Sequence, residues 1–335
     1  MKMRLSVPKY LRLLLLVFPG MLSSGDFAAQ GATKVVLSYA SFNERTAGVL
    51  LVAEDHGFFR RQDLDTRLIY VNTGSVALSA LAAGESQFYI GSGTGTTLGA
   101  IAGGMDAVFV AGLVNRLTGT MVVGPQIKSP ADLKGKNIGV QSIGGGIWMI
   151  TMLVLDHWGI EPKRDRINFR IVGDEAVLAQ ALTTHVIDAT YLGYTFGSIL
   201  KKQGLNVLAD LATLKIPYQS TGVMVRRSFL SQSPESVEKV LRALTQATAF
   251  IEKPENKSAV MTSLWKGLRL KKFEDAEEGY ELMKTLYEKR IYPNTDGIRN
   301  AIRLLGASNE KIRQLKVEDT IDDRIVRKLE KEGAF

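Results

Sequence analysis

The stretch Lys136–Gly159, KNIGVQSIGGGIWMITMLVLDHWG, leaves a folding chain few choices. Asn137–Val140 is an apolar run of strand length, and Gln141–Gly146 is a polar, glycine-rich turn. Ile147–Trp158 is apolar over a helical length and closes at Gly159. A strand feeding a glycine turn feeding a helix is the repeating unit of an α/β sheet. The first backbone N–H groups of such a helix lack intrahelical partners. Glycines ahead of it let another molecule approach that backbone, and the helix dipole favours an anionic or electron-rich group there.

The same unit recurs along the chain. Lys34–Tyr39 reads as a strand, and Ser41 three residues before Glu44 reads as a capping box opening a helix from about Arg45 to His56, stopped by Gly57. Thr66–Val71 is a strand, Asn72–Ser75 its turn and Val76–Ala83 its helix. Gln87–Ile90 leads into Gly91–Thr97 and a short helix to Gly103-Gly104, and Ala107–Leu113 follows as a strand. Such alternation predicts a mostly parallel sheet flanked by helices, with ligands outside the carboxyl ends of the strands, where these turns lie. One small-polar turn is ordinary capping. Four of them, all offering Ser, Thr or Asn with Gly, point to a binding cleft.

Thr120–Gly124 is a further strand, and Ile127–Gly135 holds a short helix start with Pro130 just inside it. Beyond the glycine turn, Arg166–Val172, Asp174–Thr184, Val186–Leu192, a helix to Gln203-Gly204 and Asn206–Leu211 complete a second α/β unit. Gly222–Arg226 is one more strand. Amphipathic helices then fill the rest: Glu235–Ile251, Glu255–Trp265, Phe273–Arg290, Thr295–Leu305 and Ile321–Glu330. The two α/β halves share a pattern, so two similar lobes are expected, and 335 residues suffice for them.

The N-terminus obeys a different logic. Lys2, Arg4, Lys9 and Arg12 precede the apolar core Leu13–Phe18, which Pro19-Gly20 breaks, and small and polar residues run on to Gly31. This is the pattern of a secretory signal peptide, residues 1–31, and its core is too short to span a bilayer. The chain has no cysteine, which excludes disulfides, thiolate metal sites and a lipidated cysteine at the cleavage point. Removing residues 1–31, with four basic residues and Asp26, lowers the formal charge from +8 to +5. The remaining basic residues are interleaved with Asp and Glu, which describes a solvated surface and no nucleic-acid partner.

Several segments together resemble the nitrate/sulfonate/taurine and thiamine-precursor type of solute-binding protein that serves ABC importers. They are Thr46–Phe59 (TAGVLLVAEDHGFF), Gly74–Gly91 (GSVALSALAAGESQFYIG), Ser129–Val140 (SPADLKGKNIGV), the Gln141–Gly146 turn, Ala176–Tyr191 (AVLAQALTTHVIDATYL) and Tyr218–Val225 (YQSTGVMV), followed by Pro234–Ala249. The resemblance implies a two-lobed periplasmic-binding-protein fold of type II with the ligand between the lobes. One lobe would comprise residues 32–119 plus 222–335 and the other 120–221, the chain crossing near Thr118–Thr120 and Gln219–Gly222. It further implies an exported monomer without cofactor or metal, whose partners are a small solute and a membrane permease. The ligand-binding positions it implies are Ser41, Phe42, Asn43, Asn72, Thr73, Gly74, Ser92, Gly93, Thr94, Ser142, Gly144, Gly145, Tyr191, Tyr194 and Tyr218. Where many relatives carry a Trp-Asp-Pro-like element, this chain has Leu192-Gly193-Tyr194, so the identity of the ligand does not carry over.

Taken one by one, Tyr191, Tyr194 and Tyr218 suit an aromatic wall with hydroxyls facing a ligand, or tyrosines packed in their lobes. Arg45 and Arg116 follow or end strands and are able to pair with an anion, but solvent exposure is the plainer expectation for each. His56, His157 and His185 fall at predicted helix C-termini, where a cation complements the dipole. There is no Gly-x-Ser-x-Gly elbow, HExxH motif or Walker loop. Gly91-Ser92-Gly93 begins like a dinucleotide fingerprint, but Thr96 stands in place of its third glycine. A binding protein is therefore expected over an enzyme. The alternatives are a biosynthetic enzyme of thiamine-precursor type and a ligand-sensing partner of a membrane receptor.

Overall fold

The computed structural model describes residues 31–335, so all but the last residue of the leader expected at 1–31 lies outside the described residues. The strands are β1 (Thr33–Tyr39), β2 (Leu64–Tyr70), β3 (Phe88–Gly91), β4 (Ala107–Arg116), β5 (Thr120–Val123), β6 (Asn137–Val140), β7 (Asn168–Ile171), β8 (Ala189–Leu192), β9 (Asn206–Asp210) and β10 (Pro217–Arg226). The helices within the α/β part are α1 (Val49–Asp55), α2 (Gly74–Ala83), α3 (Gly95–Ala102), α4 (Gly146–His157), α5 (Glu175–Thr183) and α6 (Tyr194–Lys202). After β10 come α7 (Arg227–Gln232), α8 (Pro234–Ile251), α9 (Lys257–Gly267), α10 (Glu277–Leu286), α11 (Thr295–Gly306), α12 (Glu310–Arg313) and α13 (Arg324–Lys331).

These strands form two five-stranded sheets with one plan. The first runs β2-β1-β3-β10-β4 and the second β7-β6-β8-β5-β9. In each, four strands run one way and one, β10 or β5, lies antiparallel between its two neighbours. Each sheet with its helices is a lobe, and the architecture is the two-lobed periplasmic-binding-protein fold with a helical C-terminal segment. β3, β5 and β8 are buried along their whole length and carry continuous apolar or small residues, as strands covered on both faces require. The chain leaves the first sheet after Arg116 and enters the second at Thr120. It returns with Pro217, which pairs back onto Arg116.

The carboxyl ends of β1, β2 and β3 face those of β6 and β8, which brings the turns of both lobes together. Gln141 donates to the carbonyls of Ala40 (3.1 Å) and Asn72 (2.7 Å), and the Thr96 amide donates to the Gly144 carbonyl (3.0 Å). Gly144, at φ +76°, occupies the left-handed region that lets this turn present its carbonyl. The lobes are closed on one another.

The capping box expected at Ser41 and Glu44 does not form. Asn43 is the cap, its side-chain oxygen accepting the Thr46 amide at 3.0 Å, and Glu44 reaches into the other lobe instead. Glu44–Gly48 is a wide, π-type turn ahead of α1. The cause is visible: the Tyr287 hydroxyl donates to the Glu44 carbonyl (2.6 Å) and accepts from the Val49 amide (3.0 Å). A side chain inserted into the helix ladder widens that turn, and here Glu44 and Arg45 lie buried.

Candidate functional site

Between the two sets of strand ends lies a small cavity. Ser41, Gly74, Ser92, Thr94, Ser142 and Gly145 are on its wall, with Thr46, Gln141 and Gly146 beside them. Three helices begin there. Thr73 caps α2 through the Val76 amide, Thr94 caps α3 through the Thr97 amide, and α4 starts at Gly145 with no side-chain cap. The uncapped N–H groups of α4 and the positive ends of three helix dipoles suit an anionic or strongly accepting group. The cavity is about 20 Å³, room for little more than one water molecule in this closed form. An organic solute does not fit this space in the closed form.

Next to the cavity is a fully buried polar cluster drawn from both lobes. The Arg45 guanidinium donates through one terminal nitrogen to the Ser220 carbonyl (2.6 Å), the Ser220 hydroxyl (3.2 Å) and the Thr221 hydroxyl (3.2 Å), all on β10. The Ser92 hydroxyl donates to the same Ser220 carbonyl at 2.5 Å. Glu44 accepts the Tyr194 amide (2.8 Å), and Glu175 accepts the Gly193 amide (2.7 Å) and the Asn43 side-chain amide. Arg45 was expected on the surface. It is 1% exposed, because the widened turn aims it under β10.

The cluster is not saturated. Glu44 Oε2, Arg45 Nε and the hydroxyls of Tyr191, Thr195 and Tyr218 are buried without a well-formed hydrogen bond, although Thr195 lies beside Glu44, Tyr191 beside Arg45 and Ser92 beside Tyr218. Such groups are uncommon in folded proteins and mark places where a ligand or water completes the structure. Burial pushes both tyrosine hydroxyls well above their ordinary range, with Arg45 as the chief opposing influence. Burial also works against charge on Arg45, yet Tyr191, Glu175 and Tyr218 hold its pKa above the usual value. Burial, then the charge of Glu44, pushes Glu175 up to about 7. Glu44 is raised by burial as well.

The remaining positions expected to bind ligand scatter around this centre. Asn72 is exposed and meets the other lobe only through its carbonyl, and Gly93 and Gly144 serve through their backbones. Tyr194 bonds the Asp210 carboxylate, and Tyr191 and Tyr218 lie behind the cavity wall in the Arg45 cluster. Phe42 points away, into a second, larger space of about 410 Å³ between α5, α6 and Leu268–Lys271. Sequence reasoning missed Glu44, Glu175, Thr46 and Gln141. The signal for Glu44 was present, since an Asn-Glu-Arg run sits between a buried strand and an apolar helix.

A model of the NMT1/THI5 like family matches residues 45–257. The chain belongs to that family. A comparison with curated proteins gives no match. Among solved structures, a Bordetella bronchiseptica RB50 protein superposes with a TM-score of 0.77 at 21% identity, covering 90% of this chain and 98% of its own. The periplasmic aliphatic sulphonate binding protein SsuA of Escherichia coli gives 0.68 at 17% identity, with 86% and 92% covered. The periplasmic nitrate-binding protein NrtA of Synechocystis PCC 6803 gives 0.72 at 16%, with 90% and 89% covered. Two of these neighbours are solute-binding proteins, and at these identities they establish a shared fold. Among the described residues no helix is long and apolar enough to cross a membrane, and no group of three or more candidate metal ligands occurs.

Proposed function

We propose that this chain is an extracytoplasmic solute receptor that captures a small organic molecule or anion between its lobes and delivers it to the permease of an ABC importer. The observation that carries the reading is the cavity walled by the starts of α2, α3 and α4, drawn from both lobes and backed by buried polar atoms without partners. The lobes of the proposal are residues 32–119 with 222–335, and residues 120–221. They swing about the two chain crossings, and the closed face is what a permease would engage. Residues 1–31 would direct export to the periplasm without lipid anchoring. The sulphonate- and nitrate-binding neighbours favour sulfonates, nitrate and related anions as first candidates, and the positive charge of Arg45 behind the cavity wall favours an anion there. Ser41, Thr94, Ser142 and Gly145 are the proposed contacts of its charged end.

Thermal unfolding of residues 32–335 against sulfonates, nitrate, carboxylates, pyrimidines and aromatic acids tests the proposal. A solute at about a hundred times its dissociation constant adds roughly 2.7 kcal/mol of stability. A selective upward shift, lost in Ser142→Ala or Thr94→Ala, is expected. No shift with any class would overturn solute capture.

A further inference from the structure

We propose that Glu44 and Glu175 form a proton-operated latch between the lobes: closing brings their carboxyl groups together at the start of α6, takes up one proton to be held between them, and releases it on opening. The proposal rests on the hinged closure described above and adds a condition to it.

The geometry is specific. Glu44 follows β1 in one lobe, and Glu175 begins α5 in the other. Their carboxylates accept from consecutive amides, Tyr194 (2.8 Å) and Gly193 (2.7 Å), at the N-terminus of α6. A methyl placed on Gly193 would lie 2.8 Å from Glu44 Oε1 and 3.1 Å from Glu175 Oε2, so both carboxyls crowd one point. Glu44 is 1% and Glu175 3% exposed, and Glu44 Oε2 has only the neutral Thr195 hydroxyl beside it. Asn43 in the first lobe holds Glu175 as well. Two buried like charges this close cannot both persist cheaply, and one proton between them relieves the conflict. The two helix N–H groups receive the charge that remains.

The surrounding ionisable groups do not supply a second cation. Arg45, beside Glu44, is the one cation credited with lowering both carboxyls, and its bonds go to β10. Tyr191 of β8, Tyr70 of β2 with Asp174 beside it, and Tyr287 beyond α10 are the other titratable groups that face the pair. The nearest further cation, Arg269, stacks over Phe42 and acts on Tyr39 and Tyr70.

With the lobes apart, both carboxyls are solvated and titrate as ordinary glutamates. A group whose pKa is higher in the closed form favours closing fully below its open-form value, and that advantage disappears as pH rises through the closed-form value. With Glu175 at about 7 when closed, the closing equilibrium falls about 30-fold between pH 5.5 and 8.

The test needs no solute. Small-angle scattering of the full chain from pH 5.5 to 8.0 should show a compact particle that expands with a midpoint near neutrality. Glu175→Gln, which keeps the shape and removes the charge, should stay compact throughout. Glu44→Gln should do the same and serves as the second variant, with circular dichroism verifying that each folds. A wild-type scattering profile that does not change with pH overturns the latch, as does a Glu175→Gln protein that expands like wild type. Neither outcome touches solute capture, which the unfolding panel reads at a single pH.

Discussion

Replacing Arg45 with methionine tests the account of the buried cluster most directly. Methionine is close in length and fills the space, so the change removes charge and hydrogen bonds with little cavity. Ser220 keeps one donor to its carbonyl, the Ser92 hydroxyl, but the Ser220 and Thr221 hydroxyls lose the guanidinium. The larger loss is the positive charge that the Glu44 and Glu175 carboxyls share. Breaking a buried ion network by removing one partner costs about 3–5 kcal/mol. At roughly 2–4 °C per kcal/mol for chains of this order of size, the melting temperature should fall by about 10 °C. Above pH 7 the carboxyl pair carries an additional negative charge, so the loss at pH 8 should exceed that at pH 5.5 by roughly 1 kcal/mol. Thermal unfolding followed by circular dichroism at both pH values reads this. A drop under about 2 °C at both would refute the view of Arg45 as the counter-charge of the cluster. Equal, large drops would refute its coupling to the carboxyl pair.

Three further outcomes follow from individual contacts. Gly297→Ala sets a methyl 2.5 Å from the Tyr218 carbonyl carbon where α11 presses on β10, and backbone cannot yield as a flexible side chain does. Denaturant unfolding should show a loss at the upper end of the roughly 1–3 kcal/mol range for overpacking, and an unchanged midpoint would mean that α11 shifts freely. Tyr191→Phe and Tyr218→Phe each remove a buried hydroxyl without a partner, so the apo protein should be as stable or slightly more so, while any solute-induced melting shift shrinks. A loss above about 1 kcal/mol in the apo protein would show that the hydroxyls are already satisfied. Thr73→Ala removes the cap of α2 and should cost about 1 kcal/mol by denaturant unfolding, with no loss pointing to a cap supplied by another group.

The α/β part of the chain was readable because its signals are local. Strands with continuous apolar residues, small-polar turns and glycine stops fix β1 to β9 and α2 to α6 within a few residues of the expected bounds. Expectation failed where a distant partner decides. The strand expected at Gly222 begins at Pro217, because Pro217 and Thr221 pair with Arg116 and Val114. The helix expected over Phe273–Arg290 ends at Leu286, where Tyr287 turns extended and sends its hydroxyl into the turn before α1. Periodicity continues through that point and carries no trace of the break. The same hydroxyl widens the Glu44–Gly48 turn, a local ladder overridden from 243 residues away.

The site divides along the same line. Ser41, Gly74, Ser92, Thr94, Ser142 and Gly145, six of the positions implied by the family resemblance, lie in turns that neighbouring residues spell out, and all six line the cavity. The buried polar cluster was not found, because charge after a strand reads as solvent contact unless something across the molecule covers it. Asn43 and Glu175 lie 132 residues apart, and Arg45 and Ser220 are 175 apart. Arg45 meets Ser220 through the long-range pairing of β10 into the first sheet, and Asn43 meets Glu175 only when the two lobes close. That is also why these residues are the natural place for a conformational condition. A bond within one lobe contributes whether the lobes are open or shut, whereas the Asn43–Glu175 and Glu44–Tyr194 bonds cross the gap and weight the closed state alone.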